Sequence, residues 1–235
     1  MQTLLTPAYV LHRRLYRETS FLVELFSEQH GRLTVIAKGV RKARTSTPGL
    51  LQAFMPLLVS WNGKGELKVL TQVELNGTAN HLQGNCLFAG LYINELLMCL
   101  LQKWDAHHYL YRIYADTIRA LQTQQLSEGI LRSFEKVLLE ELGYGLLPIS
   151  DELLHKTFSA DKYYRFTSEQ GFTICEEVNA YTAANVFSGK SLIAMAKEDW
   201  REETSLRDAK RLIRYVLSPL LGARPIHSRR LFMHL

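Results

Sequence analysis

The sequence predicts an α+β protein of more than one domain, in which an amino-terminal β-barrel precedes an α-helical domain that carries a small β-hairpin. Over residues 7–75, short runs alternate apolar and polar side chains, which is typical of strands. Near residue 77 the apolar repeat changes to helical spacing, and beyond residue 145 it is broken. We therefore predict a barrel domain at residues 1–78 and a helical domain at residues 79–235, which includes a hairpin-containing part near residues 146–180.

Five short strands are predicted in the first domain. Residues 28–31 and the NGKG sequence at residues 62–65 read as hairpin turns, since glycine and asparagine accept a positive φ. Five strands with one long loop fit a closed barrel of the OB type better than a sandwich, which usually has about seven strands. The predicted strands are residues 7–15, 19–27, 32–38, 54–61 and 66–73.

The long loop that follows the third strand is basic. Arg41, Lys42 and Arg44 follow Lys38 with no acidic residue among them, and Thr-Ser-Thr-Pro-Gly then ends the loop. A strand that delivers four cations to an exposed loop suits a polyanion. A solvated basic loop without a ligand is the alternative.

Three amphipathic helices are predicted next, at residues 85–102, 108–122 and 127–142, and they are expected to form a bundle. Ser127 and Gly143 provide the signals for the start and the end of the third helix. We interpret the apolar stripes of these helices as core.

Beyond residue 145 the pattern favours short elements. Residues 146–161 are ambiguous, and residues 163–167 and 172–176 predict the hairpin. Short helices are predicted at residues 182–187 and 192–196. A longer helix is predicted at residues 205–221, with Ser205 as its cap and Pro219 ending or bending its last turn.

Composition indicates an ordinary globular protein. Of 235 residues, 47% are hydrophobic and 22% charged, and no apolar run is long enough to span a membrane. The amino terminus lacks the pattern of a signal peptide, and the three cysteines form no disulfide framework. We therefore expect a cytoplasmic protein that does not bind membranes.

Positive charge is segregated along the chain. The formal net charge of +5 is matched by residues 1–80 alone, which hold ten Lys and Arg against five Glu. Residues 207–235 hold seven cations against one Asp, so residues 81–206 are acidic. Such segregation indicates an anionic partner for the basic segments.

No catalytic or cofactor pattern is present. The GKS sequence at residues 189–191 lacks the glycine that a phosphate loop requires five positions earlier. Neither cysteines nor histidines show zinc spacing, and no GxSxG occurs. We expect a binding protein that uses no metal or other cofactor and is not an enzyme.

Several segments together resemble the RecO family of bacterial recombination mediators. They are AYVLHRR, RETSFLVELFSEQHGRLTVIAKGVRK, LLQAFMPLLVSWNGKGELKVLTQVE, GLYINELL, LRSFEKVLLEELGYG and AKRLIRYVLSPLLGARPIHSRRLF. The resemblance implies an OB-fold domain and a helical domain in a non-enzymatic protein of DNA repair. It implies binding to single- and double-stranded DNA, annealing of complementary strands, and a nucleoid-associated location.

The resemblance also implies protein partners. These are the acidic carboxyl-terminal tail of single-stranded DNA-binding protein (SSB), RecR, and a functional link to RecA through its loading on SSB-coated strands. Some members of the family carry a four-cysteine zinc site after the third helix. Residues 146–161 contain no cysteine here, so we expect no zinc.

For DNA, the predicted contacts are the cations of the barrel domain. Aromatic side chains such as Tyr9, Tyr16 and Trp61 lie among them and could stack on bases, although core packing is the alternative for each. The predicted DNA-binding residues are Arg13, Arg14, Arg17, Lys38, Arg41, Lys42, Arg44, Lys64 and Lys68.

For the SSB tail, an apolar pocket with cations on its rim is required. We predict that the third helix and the helix at residues 205–221 meet to form it, and the resemblance supports Arg132 best. Burial of Phe134 and Leu138 in the core is the alternative. The predicted residues are Arg132, Phe134, Leu138, Leu142, Lys210, Arg211 and Arg214. Two rival functions are a simple OB-fold protein that coats single strands without partner exchange, and a small nuclease.

Overall fold

The computed structural model describes residues 4–42, 47–65, 67–123, 126–148, 150–176 and 183–234. The chain divides into two compact units. The first, called here the barrel unit, comprises residues 1–126 and 225–235, and the second, the helical unit, comprises residues 127–224. The predicted domain boundary at residue 78 stays a prediction.

The first five strands close into a barrel, which confirms the predicted fold class. The strand order is β1-β2-β3-β5-β4. Parallel pairing of Val35 with Lys68 joins β3 to β5, and antiparallel pairing of Thr6 with Val59 joins β4 back to β1. Inward-facing aliphatic side chains such as Val23 fill the interior. The elements are β1 Thr6–Tyr16, β2 Ser20–Ser27, β3 Gly31–Ala37, the short helix α1 Thr47–Leu50, β4 Pro56–Asn62 and β5 Lys68–Leu75.

Two helices, α2 (Gly84–Leu100) and α3 (His108–Thr123), cover part of the outer barrel surface. The Asn94 side chain of α2 donates to the Leu11 carbonyl of β1 at 2.9 Å and accepts from the Tyr114 hydroxyl of α3 at 2.7 Å. Burial raises the pKa of Tyr114, so the hydroxyl keeps the proton that it donates. The ring of Tyr9 on β1 packs edge-on against Tyr114. This buried polar link fixes both helices to β1.

A carboxylate of α2 binds the start of the carboxyl-terminal 3-10 helix, His227–His234. Glu95 accepts hydrogen bonds from the backbone amides of His227 and Ser228, both at 2.8 Å, and from the Ser228 hydroxyl at 2.6 Å. Partial burial would raise the pKa of Glu95, but the bonds from Ser228 and His227 outweigh it and hold this pKa below its usual value. The ionised carboxylate therefore caps this helix.

In its described residues, the helical unit combines four helices with a three-stranded sheet in the order β7-β6-β8. Tyr164 pairs with Ile174 across β6 and β7, so the predicted hairpin is present. The predicted helix at residues 182–187 is wrong, because Val186 and Phe187 lie in a strand that pairs with β6, and Thr182 lies outside the described residues. The elements are α4 Glu128–Glu141, α5 Asp151–Thr157, β6 Tyr163–Thr167, β7 Gly171–Ile174, β8 Val186–Ser188, α6 Gly189–Ala196 and α7 Glu203–Leu221.

Helix ends follow the predicted cap signals in part. The Ser127 hydroxyl accepts a bond from the Gly129 amide at the start of α4, as predicted. Ser205 is not a cap, since α7 begins two residues earlier and buries this side chain. Pro219 lies in the last turn of α7, which ends at Leu221. Because α2 and α3 belong to the barrel unit and α4 to the helical unit, the three helices predicted as one bundle are divided between the units.

Among the residues that the structure describes, no helix combines the length and apolar character that crossing a membrane requires.

Replacing Glu95 with Gln should lower the free energy of unfolding by about 1–2 kcal/mol at pH 7, because charge-assisted bonds to three donors are weakened. Urea denaturation measures this change. Since the pKa of Glu95 is depressed in the folded state, its contribution is complete above the unfolded pKa, about 4.3, and is lost as pH falls through the lower folded pKa. Glu74→Gln, an exposed change on β5, is the control. Equal stability of both variants would contradict the capping role.

Candidate nucleic-acid interface

Four predicted cations meet where the β1–β2 turn faces the end of β3. Arg17 lies in the turn, and Lys38, Arg41 and Lys42 follow β3. The Arg41 amide donates to the Thr19 carbonyl at 3.0 Å, and its guanidinium donates to the carbonyls of Glu18 at 2.8 Å and Arg17 at 3.3 Å. The loop after β3 is therefore docked on the β1–β2 turn.

The backbone reverses at Gly39, which allows this docking. Its φ of +71° lies in the left-handed region, and no atom of the described residues would lie within 4 Å of an added Cβ. Glycine is therefore favoured at this position because of its positive φ, and not because a larger side chain would clash with its neighbours. Arg44, which was also predicted in the loop after β3, lies outside the described residues.

Arg13 and Arg14 extend this basic surface along β1. A bulge between Val10 and His12 shifts the register of β1 against β2. After it, Arg13 stacks on Phe21 at 4.8 Å and donates to the Pro48 carbonyl at 2.6 Å, whereas Arg14 is exposed. The Arg13 side chain is thus held by Phe21 and Pro48, whereas the Arg14 side chain is accessible to solvent.

Lys64 and Lys68 lie at a second place, around the β4–β5 turn. The Lys68 ammonium donates to the Gly63 carbonyl at 3.1 Å and lies 5.0 Å from the centre of the Trp104 ring. The Trp104 amide bonds to the carbonyl of Arg32 at the start of β3, whereas Lys38 follows the end of that strand. At about 3.3 Å per residue, these two points on β3 are roughly 20 Å apart. The eight predicted cations that the structure describes therefore form two groups.

Each group includes one residue of a loop that OB barrels use, Arg17 in the β1–β2 turn and Lys64 in the β4–β5 turn. The loops between strands 1 and 2 and between strands 4 and 5 flank the oligonucleotide-binding face of this fold, which lies on strands 2 and 3. Part of that face is covered here: Phe26 on β2 is fully buried against Tyr111 of α3, and Arg32 on β3 donates to the Met98 carbonyl of α2. The exposed residues of this surface therefore lie in the loops, since β2 and β3 contain only buried and half-buried residues.

The cations predicted to bind DNA differ from most cations of the helical unit in their ion pairing. Within the described ranges, no carboxylate pairs with any of these cations, which are Arg13, Arg14, Arg17, Lys38, Arg41, Lys42, Lys64 and Lys68. Among the described residues of the helical unit, at least nine of the 13 cations form such pairs, one of them Lys136 with Glu198 at 2.9 Å. By composition, the barrel unit has 15 Lys and Arg against eight Asp and Glu, and the helical unit 13 against 15. Uncompensated positive charge is thus concentrated on the barrel unit.

Most of the aromatic candidates are core residues. Tyr9, Phe54 and Trp61 are buried, and His30, whose pKa is lowered by burial, packs edge-on against Trp61 at 5.1 Å. Tyr16 is half-buried and lies under the Arg17 guanidinium. The sequence offered no periodic signal that singles out the exposed Trp104.

Three residues predicted for the SSB tail are inaccessible in the structure. Phe134 and Leu138 are fully buried in the core, as the alternative interpretation held. Arg132 is buried on α4, and its Nε lies 3.1 Å from the Oε2 of the buried Glu135. Leu142, at the end of α4, is half-buried.

The predicted cations of α7 differ in how they are engaged. Lys210 pairs with Glu128 of α4 at 3.0 Å, so α4 and α7 meet as predicted. Arg211 pairs with Asp208 at 2.8 Å and stacks on Phe187 at 4.7 Å. Arg214 is exposed, and among the described residues it has no ion pair.

A large apolar groove lies beside this part of α7. Its volume is about 740 Å³, and it is lined by the segment after α4, the hairpin and the last turns of α7, including Leu147, Phe172 and Leu220. A second depression of about 510 Å³ shares Ser168 and Pro219 with the groove and is lined by Arg211, Arg214 and Tyr215. Apolar surface and cations are therefore adjacent here.

No group of three His, Cys, Asp or Glu side chains in the described part of the chain is arranged to hold a metal ion. In the ambiguous stretch 146–161, helix α5 begins at Asp151 with the Ser150 hydroxyl accepting from the Leu153 amide.

Two family models match the chain almost end to end. The model described as "Recombination protein O N terminal" matches residues 1–79, and the one described as "Recombination protein O C terminal" matches residues 81–230. The chain belongs to the RecO family. The resemblance found in the sequence is thereby confirmed, and the barrel corresponds to the amino-terminal RecO region.

Curated relatives agree with this assignment to RecO. "DNA repair protein RecO" of Coxiella burnetii (strain RSA 331 / Henzerling II) is 41% identical over 227 residues, which cover 97% of each chain. The protein of the same name from Actinobacillus pleuropneumoniae serotype 3 (strain JL03) is 40% identical over 228 residues, 97% of this chain and 93% of the relative. The protein of the same name from Azoarcus sp. (strain BH72) is 38% identical over 229 residues, which cover 97% of this chain and 94% of the relative. The RecO identity supports a role in DNA repair and recombination.

The buried Arg132–Glu135 pair predicts a strong difference between two arginines. Arg132→Ala should lower the free energy of unfolding by about 3–5 kcal/mol, because it leaves a buried carboxylate without its cation. Arg207→Ala, which breaks the exposed pair with Glu203, should cost less than about 1 kcal/mol. Denaturant unfolding of the two variants side by side measures both. A small effect at Arg132 would show that the pair is solvated in solution.

Proposed function

We propose that this RecO-family protein is a recombination mediator without enzymatic activity, which binds single- and double-stranded DNA through the barrel unit and anneals complementary strands. The observation that carries the proposal is the set of eight described barrel cations without ion pairs. A cation that already has a carboxylate partner must give it up to bind a phosphate, whereas these cations need no such exchange.

Annealing requires two phosphate backbones to approach one another, and a dense positive surface reduces their repulsion. Each phosphate that a Lys or Arg neutralises releases condensed counterions, which favours binding at low salt. The affinity for a single strand should therefore fall with a slope of about −0.7 per phosphate contact in a plot of log K against log salt.

Reversing the charges of Arg41 and Lys42 together, each to Glu, should weaken DNA binding at least tenfold and make the salt slope shallower. Both side chains are exposed, and both follow β3 in the loop that is docked on the β1–β2 turn. Fluorescence anisotropy with labelled oligonucleotides at several salt concentrations measures affinity and slope.

The matched control for this pair is the double charge reversal of Lys156 and Arg207, two exposed cations of the helical unit that are already ion-paired. It should change DNA affinity less than threefold. An unchanged salt slope in the Arg41 and Lys42 variant would contradict the assignment of the barrel surface.

We further propose that the helical unit binds the acidic carboxyl-terminal tail of SSB. The groove beside α7 offers apolar lining from residues such as Phe172 and Leu220, and the adjoining depression offers Arg211 and Arg214. An acidic peptide that ends in hydrophobic side chains matches this combination. Arg214 is the best-placed cation, because it is exposed and has no ion pair among the described residues.

The proposal has three further points. The protein binds RecR as a second partner, it promotes RecA loading on SSB-coated strands, and it acts in the cytoplasm at the nucleoid. These three points are supported by membership of the RecO family.

Changing Arg214 to Glu should weaken binding of a synthetic peptide, acidic with a hydrophobic carboxyl end, at least fivefold, since it reverses charge beside the groove. Anisotropy of the labelled peptide measures this. Naked strands should be annealed at the normal rate, and SSB-coated strands should be annealed more slowly.

Arg207→Glu, on the same helix but already engaged with Glu203, is the control. If Arg214→Glu slows annealing of naked and coated strands equally, the two sites are not separate. If it affects neither, Arg214 is not part of a tail-binding site.

A further inference from the structure

Trp104 is a large aromatic side chain that the structure leaves partly exposed between α2 and α3. Its exposed fraction is 37%, whereas Trp61 beneath it is 3% exposed. Its backbone φ of +66° lies in the left-handed region, which bulky residues rarely adopt. Such a conformation persists only where surrounding contacts enforce it.

The contacts that enforce this conformation come from the first residues of β3. The Trp104 amide donates to the Arg32 carbonyl at 2.9 Å, and Lys103 forms an isolated parallel bridge with Arg32. The next residue, Asp105, approaches Gly31 so closely that a Cβ on Gly31 would lie 1.7 Å from the Asp105 carbonyl oxygen. The loop is therefore locked on the barrel, and Trp104 is presented by rigid backbone.

One lysine contacts the exposed ring, and two more flank this contact in the sequence. The Lys68 ammonium lies 5.0 Å from the ring centre, and Lys64 and Lys103 are exposed nearby in the chain. Trp61 supports the ring from the barrel interior, with centroids 6.3 Å apart and planes inclined at 62°. Asp105 is also exposed here, and its carboxylate lies 3.6 Å from the Nε2 of His107.

We propose that Trp104 is a stacking platform for an unpaired base of single-stranded DNA, with Lys64, Lys68 and Lys103 contacting the flanking phosphates. The site lies outside the strands of the barrel and beside the β4–β5 turn. It rests on the proposed DNA-binding function and adds to it a contact that distinguishes single strands from duplexes.

Single-stranded nucleic acid fits this site better than a protein surface does. The apolar surface is one indole ring in contact with Lys68, and the exposed Lys64 and Lys103 are close in the sequence, a combination that suits a π-face next to phosphates. In a duplex, the base faces are already occupied by their neighbours in the stack. The platform should therefore add affinity for single strands only.

The test compares Trp104→Ala and Trp104→Phe in the full chain, with an oligothymidylate of about 20 nucleotides, a duplex of equal length, and an oligonucleotide of abasic units. We expect Trp104→Ala to bind oligothymidylate at least fivefold more weakly, since stacking on an aromatic ring is worth about that much or more per base. Trp104→Phe should retain most of the affinity. Binding to the duplex and to the abasic strand should change less than twofold, and the salt slope should be unchanged because no phosphate contact is lost.

Photo-crosslinking of the unmodified protein to an oligonucleotide carrying 5-bromodeoxyuridine provides a measurement that does not depend on the folding of a variant. The peptide that contains Trp104 should carry the adduct. Equal losses on single strand and duplex, unchanged affinity for oligothymidylate in Trp104→Ala, or adducts confined to other peptides would each overturn the proposal. Loss of RecR binding with unchanged DNA binding would assign Trp104 to a protein interface instead. The Arg41 and Lys42 variant tests DNA binding itself, so the two proposals fail separately.

Discussion

Closure of the barrel is the constraint on which the basic surface depends. The parallel pairing of β3 with β5 and the return of β4 to β1 leave the sheet without a free edge, and aliphatic side chains fill its interior. The loops at the strand ends are then fixed in space. Arg41 is bonded to the β1–β2 turn, and Lys68 is held between Gly63 and Trp104. The closed barrel therefore holds these exposed loops of like charge in place.

The two units treat their charges differently, and this difference corresponds to two kinds of partner. The helical unit neutralises most of its cations internally, which reduces its long-range field and leaves isolated charges such as Arg214 next to apolar surface. The barrel unit has an excess of positive charge, and the described cations predicted to bind DNA have no carboxylate partner among the described residues, which creates attraction over distances comparable to the Debye length. The first arrangement suits a short peptide, and the second suits a polymer of phosphates.

The sequence alone predicted the barrel, most helices and the hairpin, because their apolar periods are long or their turns are marked by glycine. It failed at residues 182–187, where a short apolar segment fits a helix or a strand equally well and pairing with β6 decides the outcome. It could not tell that Arg132 is turned toward Glu135, since burial of a charged side chain depends on packing partners from distant segments. Trp104 escaped notice because a single aromatic residue in a loop produces no periodic signal.

The buried link between Asn94, the Leu11 carbonyl and Tyr114 has a consequence for how this chain can be dissected. A fragment that ends at residue 78 would uncover the aromatic rings of Tyr9 and Phe26 and leave a strand carbonyl without its donor. Such a fragment should be prone to self-association through that bare apolar side. Excision for biophysical work should therefore keep α2 and α3 attached, so that the barrel retains its natural cover.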